Sequence, residues 1–265
     1  MASSFKLSKW YMDCVSDDGA VVIGYATRLG WRRLAKGYAS TLEAVGDAPP
    51  RTRVSARGFE PPVLDGETLR WSCRPLGVSG EWNALEPSFG RTLFEDAAGS
   101  VDWTCLFPRA RVSVEGPWNG GSVRGLGYVE RLEMTLNPAR LPIDELRWGR
   151  FLGPDASIVW IEWRGPRPLD LVFRGGAPER ATVLGDDGIE FADGSRLFLE
   201  ERAVLREGRL GDTVLSGQRA LRRLLPRRLL ETSERKWRSR GRLVDARGAE
   251  SRGWALHETV RWKPD

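Results

Sequence analysis

A chain of 265 residues, 41% hydrophobic and carrying 12 Trp, has the apolar mass for one large domain or two small ones and is not disordered. No apolar run approaches the roughly 20 residues of a membrane-crossing helix, and residues 1–13 contain no apolar signal-peptide core. The net charge of +5 comes almost wholly from Arg, and Cys14, Cys73 and Cys105 lack metal-ligand spacing. They read as reduced, buried thiols, so the expectation is a cytoplasmic protein.

In chain order, Lys9–Val15 alternates and ends at Ser16-Asp17-Asp18-Gly19, which has hairpin-turn chemistry. Partner strands are expected at 20–29, 34–44, 53–57, 67–73, 78–82, 89–95, 101–107, 109–115 and 123–136. Gly, Pro, Asn and Asp punctuate them every ten residues or so, as in an antiparallel barrel or sandwich. Asn137-Pro138 through Leu141-Pro142 breaks the pattern, and the domains are set at 1–137 and 138–265. Strands resume at 146–152, 157–164, 169–174, 180–184, 188–191, 196–207, 236–244 and 253–262. Between them, Leu221, Leu224, Leu225 and Leu229 recur at helical spacing with Arg interleaved, and Pro226 interrupts. One short helix near 217–231 is expected there. Basic residues are densest from Arg219 to Arg242. A solvated face is favoured over a nucleic-acid surface, and no nucleic-acid partner is expected. Residues 218–230 are kept as a candidate for transient contact with a membrane surface.

The strand Val123–Leu136 carries the main functional signal. Alternation puts Leu126, Tyr128, Glu130, Leu132, Met134 and Leu136 on one face. The other face, with Gly127, Val129, Arg131 and Glu133, reads as wet. An acid on a dry face is costly unless it is paired or used. Burial there would favour the neutral form of Glu130, and a protonated carboxylic acid can donate to an alkene or a carbonyl. The competing reading is a structural pair with a buried Arg or Tyr. A weak echo aligns Glu130 with Glu258, which is kept as a second candidate with a mainly structural role. His257, the single histidine, alternates to the outside of its strand, so neither a His-based triad nor a metal site is expected.

Several motifs together resemble the lipocalin-related superfamily of carotenoid 1,2-hydratase (hydroxyneurosporene synthase) and AttH-like proteins. They are Trp10-Tyr11-Met12-Asp13 followed by Ser16-Asp17-Asp18-Gly19, Trp103 followed by Pro108-Arg109-Ala110, Gly125-Leu126-Gly127-Tyr128-Val129-Glu130, and Trp148-Gly149-Arg150. The resemblance covers positions 10 to 150. It implies an all-β protein of two lipocalin-like antiparallel barrels enclosing an apolar cavity, a hydrophobic small-molecule substrate, and neither metal nor organic cofactor. It also implies acid machinery at Tyr128 and Glu130, with Trp103 as an aromatic wall. Two departures stand out: Glu130 replaces an Asp, and Val101 occupies the family's His position. Without that His the cavity is drier, which favours cyclisation or isomerisation over hydration. Leu126, Leu132, Met134, Val101 and Trp10 are the expected lining, and Asp13 a minor candidate. A non-catalytic carrier of lipids or polyenes on the same barrels is the alternative.

Overall fold

Alternating polar and apolar residues broken by Gly-containing turns fold into antiparallel sheets in the computed structural model, which describes residues 5–31, 34–118, 121–213 and 227–262. The first sheet contains β1 (Phe5–Val15), β2 (Val21–Trp31), β3 (Leu34–Ala44), β4 (Arg51–Ser55), β5 (Val63–Asp65), β6 (Thr68–Cys73), β7 (Val78–Ala84), β8 (Phe89–Asp96), β9 (Gly99–Glu115) and β10 (Ser122–Met134). Its strand order is β4-β3-β2-β1-β10-β9-β7-β6-β5, with β8 pairing β9. The second contains β11 (Glu145–Leu152), β12 (Ser157–Arg164), β13 (Leu169–Arg174), β14 (Ala177–Glu179), β15 (Ala181–Leu184), β16 (Gly188–Phe191), β17 (Arg196–Arg209), β18 (Ser233–Val244) and β19 (Glu250–Arg261). Its order is β14-β13-β12-β11-β19-β18-β17-β16-β15. Strand for strand, apart from β8, the two orders are the same, and each sheet curls around its own core as a lipocalin-like barrel.

Two compact units result: residues 1–141 with 210–230, and residues 142–209 with 231–265. The grouping of 210–230 with the first unit had no sequence signal. In the described part of that segment, a short helix, α1, spans Arg227–Leu230, and the Arg228 guanidinium donates to the Ala139 carbonyl at 3.0 Å. The rest of the expected helix, and most of the candidate membrane-contact stretch, lie outside the described residues. No helix among the described residues is long and apolar enough to cross a membrane.

The predicted turn forms as its residues dictate. Gly19 adopts φ 87° and donates to the Ser16 carbonyl at 2.9 Å, a left-handed conformation that suits glycine. Elsewhere the structure corrects two expectations. The strands expected at 101–107 and 109–115 are one 17-residue strand, β9, with register shifts opposite residues 127–130 of β10. Pro108 lies beside this irregularity, a bulge being one of the few places a proline fits within a sheet.

The second correction concerns β10. The face read as wet holds the core of the first unit, in which Val129 and Val123 pack with Met12, Phe107, Val112 and Trp82. Gly125 and Gly127 alternate onto the same face as Val123 and Val129, and a Cβ at either would collide with the carbonyl of Val15 or of Asp13 on β1. The glycines let strands approach closely. They also make this face look sparse in sequence, although the neighbouring Trp82 reaches across it to donate its indole N–H to the Asp13 carbonyl at 2.8 Å.

Candidate functional site

β10 lies between β1 and β9. Its register sets Glu130 opposite Tyr11 on one side and Cys105 on the other. Cross-strand partners project to the same side of a sheet, so Tyr11, Glu130 and Cys105 share the face turned away from the first unit's core. Trp103, opposite Leu132, joins them.

Two neutral donors converge on one oxygen of the half-buried Glu130. The Trp103 indole N–H reaches Oε2 at 2.7 Å, and the Tyr128 hydroxyl reaches the same atom at 2.8 Å. Tyr128 is fully buried and stands edge-on to Tyr11, with ring centroids 6.0 Å apart. Tyr11 meets Tyr25 edge-on at 5.4 Å, and Phe89 meets Trp103 edge-on at 5.6 Å. Such edge-to-face contacts add to simple burial and hold the rings in place. Burial pushes the Tyr128 phenol well above its usual value, with the Cys105 thiol and Glu130 adding to the effect. Burial also drives the Cys105 thiol well up, against the lowering effect of its hydrogen bond with Tyr128. Tyr128 therefore stays a hydrogen-bond donor at neutral pH, and Cys105 stays a thiol.

The structure brings most of the predicted group together. Leu126, Tyr128, Glu130, Leu132 and Met134 share one face of β10, and buried Val101 pairs with Met134. Asp13 is fully buried on the Tyr11 side of β1. Trp10 is not part of the group. It alternates to the core face with Met12 and Cys14, packs against the first core, and lies under the Arg131 guanidinium at 5.4 Å. Phe107 alternates in sequence with Trp103 and Cys105 yet turns to the core opposite Val129, because the register shift falls between it and Cys105. Tyr11 and Cys105 were not singled out from sequence. Their place beside Glu130 depends on strand register, which no local pattern prints.

Glu258 occupies on β19 the position that Glu130 occupies on β10. Its neighbours differ. It lies opposite Trp148 on β11 and Lys236 on β18, and it forms an ion pair with the Lys236 ammonium. Lys236 is almost fully buried and sits 5.4 Å from the Trp148 ring centre. The matched position thus holds a buried ion pair in one unit and a carboxyl bonded by a phenol and an indole in the other.

His257 is corrected outright. It points to the core side of the second unit rather than outward, stacked on Trp237 at 5.1 Å and 6.4 Å from Trp160. The alternation was right and the choice of face was not. The Ser239 hydroxyl and His257 Nε2 are 2.8 Å apart. Burial lowers the imidazole pKa to about 3, helped by the positive charges of Arg202 and Lys236 and opposed by Glu258. The unfolded chain takes up this proton near pH 6.5 and the folded chain only near pH 3. Stability from this group is therefore whole above pH 6.5 and falls as the pH drops. Between pH 7 and 5 the wild-type protein should lose about 2 kcal/mol more than His257→Gln, measured by urea unfolding at both pH values. Equal losses would refute the assignment.

No family model matches the chain, and no curated protein matches it in sequence. Among solved structures, it is similar to CghA in complex with Sch210972, with a TM-score of 0.57 and 11% identity over 97% of this chain and 89% of that one. CghA alone gives a TM-score of 0.57 and 12% identity over 97% and 88% of the two chains. A putative AttH from Nitrosomonas europaea gives a TM-score of 0.52 and 9% identity over 96% and 92%. Over nearly its whole length, this chain therefore has the fold of CghA and of that AttH-like protein.

Proposed function

We propose that this protein is a cofactor-independent acid catalyst that cyclises or isomerises a lipophilic polyene, terpenoid or prenylated substrate on the Tyr128–Glu130 face of its first unit. The observation that carries the proposal is the convergence of Tyr128 and Trp103 on Glu130 Oε2. With Oε2 serving as the accepting oxygen, the protonated acid carries its proton on Oε1. The two donors hold the carboxyl in one orientation, so the O–H vector is set before substrate arrives. Proton transfer from Oε1 to an alkene carbon leaves a carbocation. An internal π bond attacks it, and loss of a proton to the Glu130 carboxylate restores the acid. The product is an isomer of the substrate. Tyr128 stays protonated throughout, and the Trp103 ring supplies a π face for the developing positive charge.

A buried valine at 101 supports isomerisation over hydration, since it offers no group to position a water. CghA, whose fold this chain shares, was solved with Sch210972, which agrees with a ligand-binding role for the architecture. The test is incubation with a panel of linear polyenes and prenylated phenols, followed by mass spectrometry. A product of unchanged mass and altered chromatographic mobility is expected from at least one substrate. Products heavier by one water would replace the cyclase reading with a hydratase, and the absence of any conversion would count against catalysis.

A further inference from the structure

The second barrel is layered along its interior. Cross-strand pairs place Phe151, Ile158 and Ala255 at one level, Trp160, Gly149, His257 and Trp237 at the next, and Arg147, Glu162, Thr259, Arg235 and Glu207 at the third. The lowest level belongs to the apolar core. Above it is a partly open cavity of about 440 Å³, within the size range of small-molecule sites, lined by Trp160, Trp237 and His257 together with Arg147, Arg202 and Arg235.

The first unit shows that this arrangement is not what the fold requires. There the matching level is Gly24, Met12, Val129 and Phe107. Met12, Val129 and Phe107 are closed core, and Trp71 fills the space over Gly24. In the second unit, glycine is at position 149 instead. A Cβ there would strike the Trp160 ring, so the glycine leaves room for that indole beside His257, the two rings tilted by 38°. An imidazole 8% exposed, braced by Ser239, replaces a valine. The result is an aromatic floor where the sister unit is packed solid.

The walls are charged. Arg147 pairs with Glu145 at 2.6 Å and Asp186 at 2.8 Å. Arg235 pairs with Glu207 at 3.3 Å and lies 5.5 Å from the Trp237 ring centre. Arg202 pairs with the exposed Asp187 and stays partly open to solvent. Burial chiefly keeps the floor's imidazole neutral, with Arg202 and Lys236 adding to the effect and Glu258 opposing it. The lining holds five arginines against four carboxylates, and Arg202 and Arg235 stand partly open at the rim, so a neutral π floor beneath two accessible guanidiniums suits a flat ligand with a negative group.

We propose that the mouth of the second barrel is a binding site for a planar aromatic carboxylate, with its ring on the Trp160–His257–Trp237 level and its carboxylate toward Arg202 and Arg235. This site is separate from the Glu130 face and does not depend on its chemistry. The test is calorimetric titration of the full chain with sodium 2-naphthoate. One saturable site is expected. Trp237→Leu should weaken it about tenfold through lost stacking. Arg202→Gln, a rim substitution that leaves the core intact, should weaken it about fivefold. The neutral 2-naphthamide should bind more weakly than the carboxylate, and Glu130→Gln should leave naphthoate affinity unchanged. No saturable binding, equal affinity for acid and amide, indifference to Arg202→Gln, or a loss in Glu130→Gln would each overturn the proposal.

Discussion

Replacing Glu130 with Gln is expected to lower turnover by about 100-fold or more while leaving ligand binding and folding nearly intact. Gln has the same shape, and its carbonyl oxygen can still accept from the Tyr128 hydroxyl and the Trp103 indole, which now meet at 2.8 and 2.7 Å. What it lacks is the acidic proton, and a positioned general acid contributes on the order of 100- to 10,000-fold. The measurement pairs product formation with quenching of Trp fluorescence by the same polyene. A catalyst should lose the first signal and keep the second. A carrier should be indifferent in both, so wild-type conversion by this variant would end the acid hypothesis. Loss of binding together with turnover would instead make Glu130 a recognition group.

The second large effect is one of stability. Lys236→Met removes one member of the ion pair with Glu258. Lys236 is 1% exposed and its partner's side chain 14%, so solvent does little to replace the lost charge. Breaking such a pair on one side typically costs about 3–5 kcal/mol, because a carboxylate is left behind without its cation. Neutralising the residue left behind should recover much of that loss. Lys236→Met with Glu258→Gln is therefore expected to be the more stable of the two variants in urea unfolding. If Lys236→Met lies within about 1 kcal/mol of wild type, the pair contributes no more than an exposed one. Glu130→Gln and Lys236→Met thus probe the matched carboxyls of the two units, the first directly and the second through the partner of Glu258, with activity expected to change in one and stability in the other.

Much of this was legible in the sequence because strand alternation is a strict period of two. Grouping Leu126, Tyr128, Glu130, Leu132 and Met134 needed nothing else. What alternation does not supply is which face meets a core. That question has a sequence answer when one face is polar, but β10 and β19 are substantially buried on both faces. Hence Val129 and His257 were turned the wrong way while their neighbours were grouped correctly. Trp10 was misplaced beside Glu130 because the relation between β1 and β10 is a matter of register. Tyr11 and Cys105 were missed for the same reason. Pro108 was the one local sign that β9 changes phase, and so that Phe107 could not be carried along with Trp103 and Cys105. The pairing of Glu258 with Lys236 joins residues 22 positions apart on adjacent antiparallel strands, and its identity follows only once the hairpin is aligned.

The grouping of residues 210–230 with the first unit bears on how the protein is made. A ribosome finishes β10 long before it reaches Arg228, whose side chain bonds to the Ala139 carbonyl. Between the two lie β11 to β17, seven strands of the other unit. The first unit therefore waits, short of a piece, while most of its sister emerges, and the order of synthesis does not match the order of completion. Cutting the gene at the proline-rich junction would separate the two barrels in sequence and still deprive the first of part of itself.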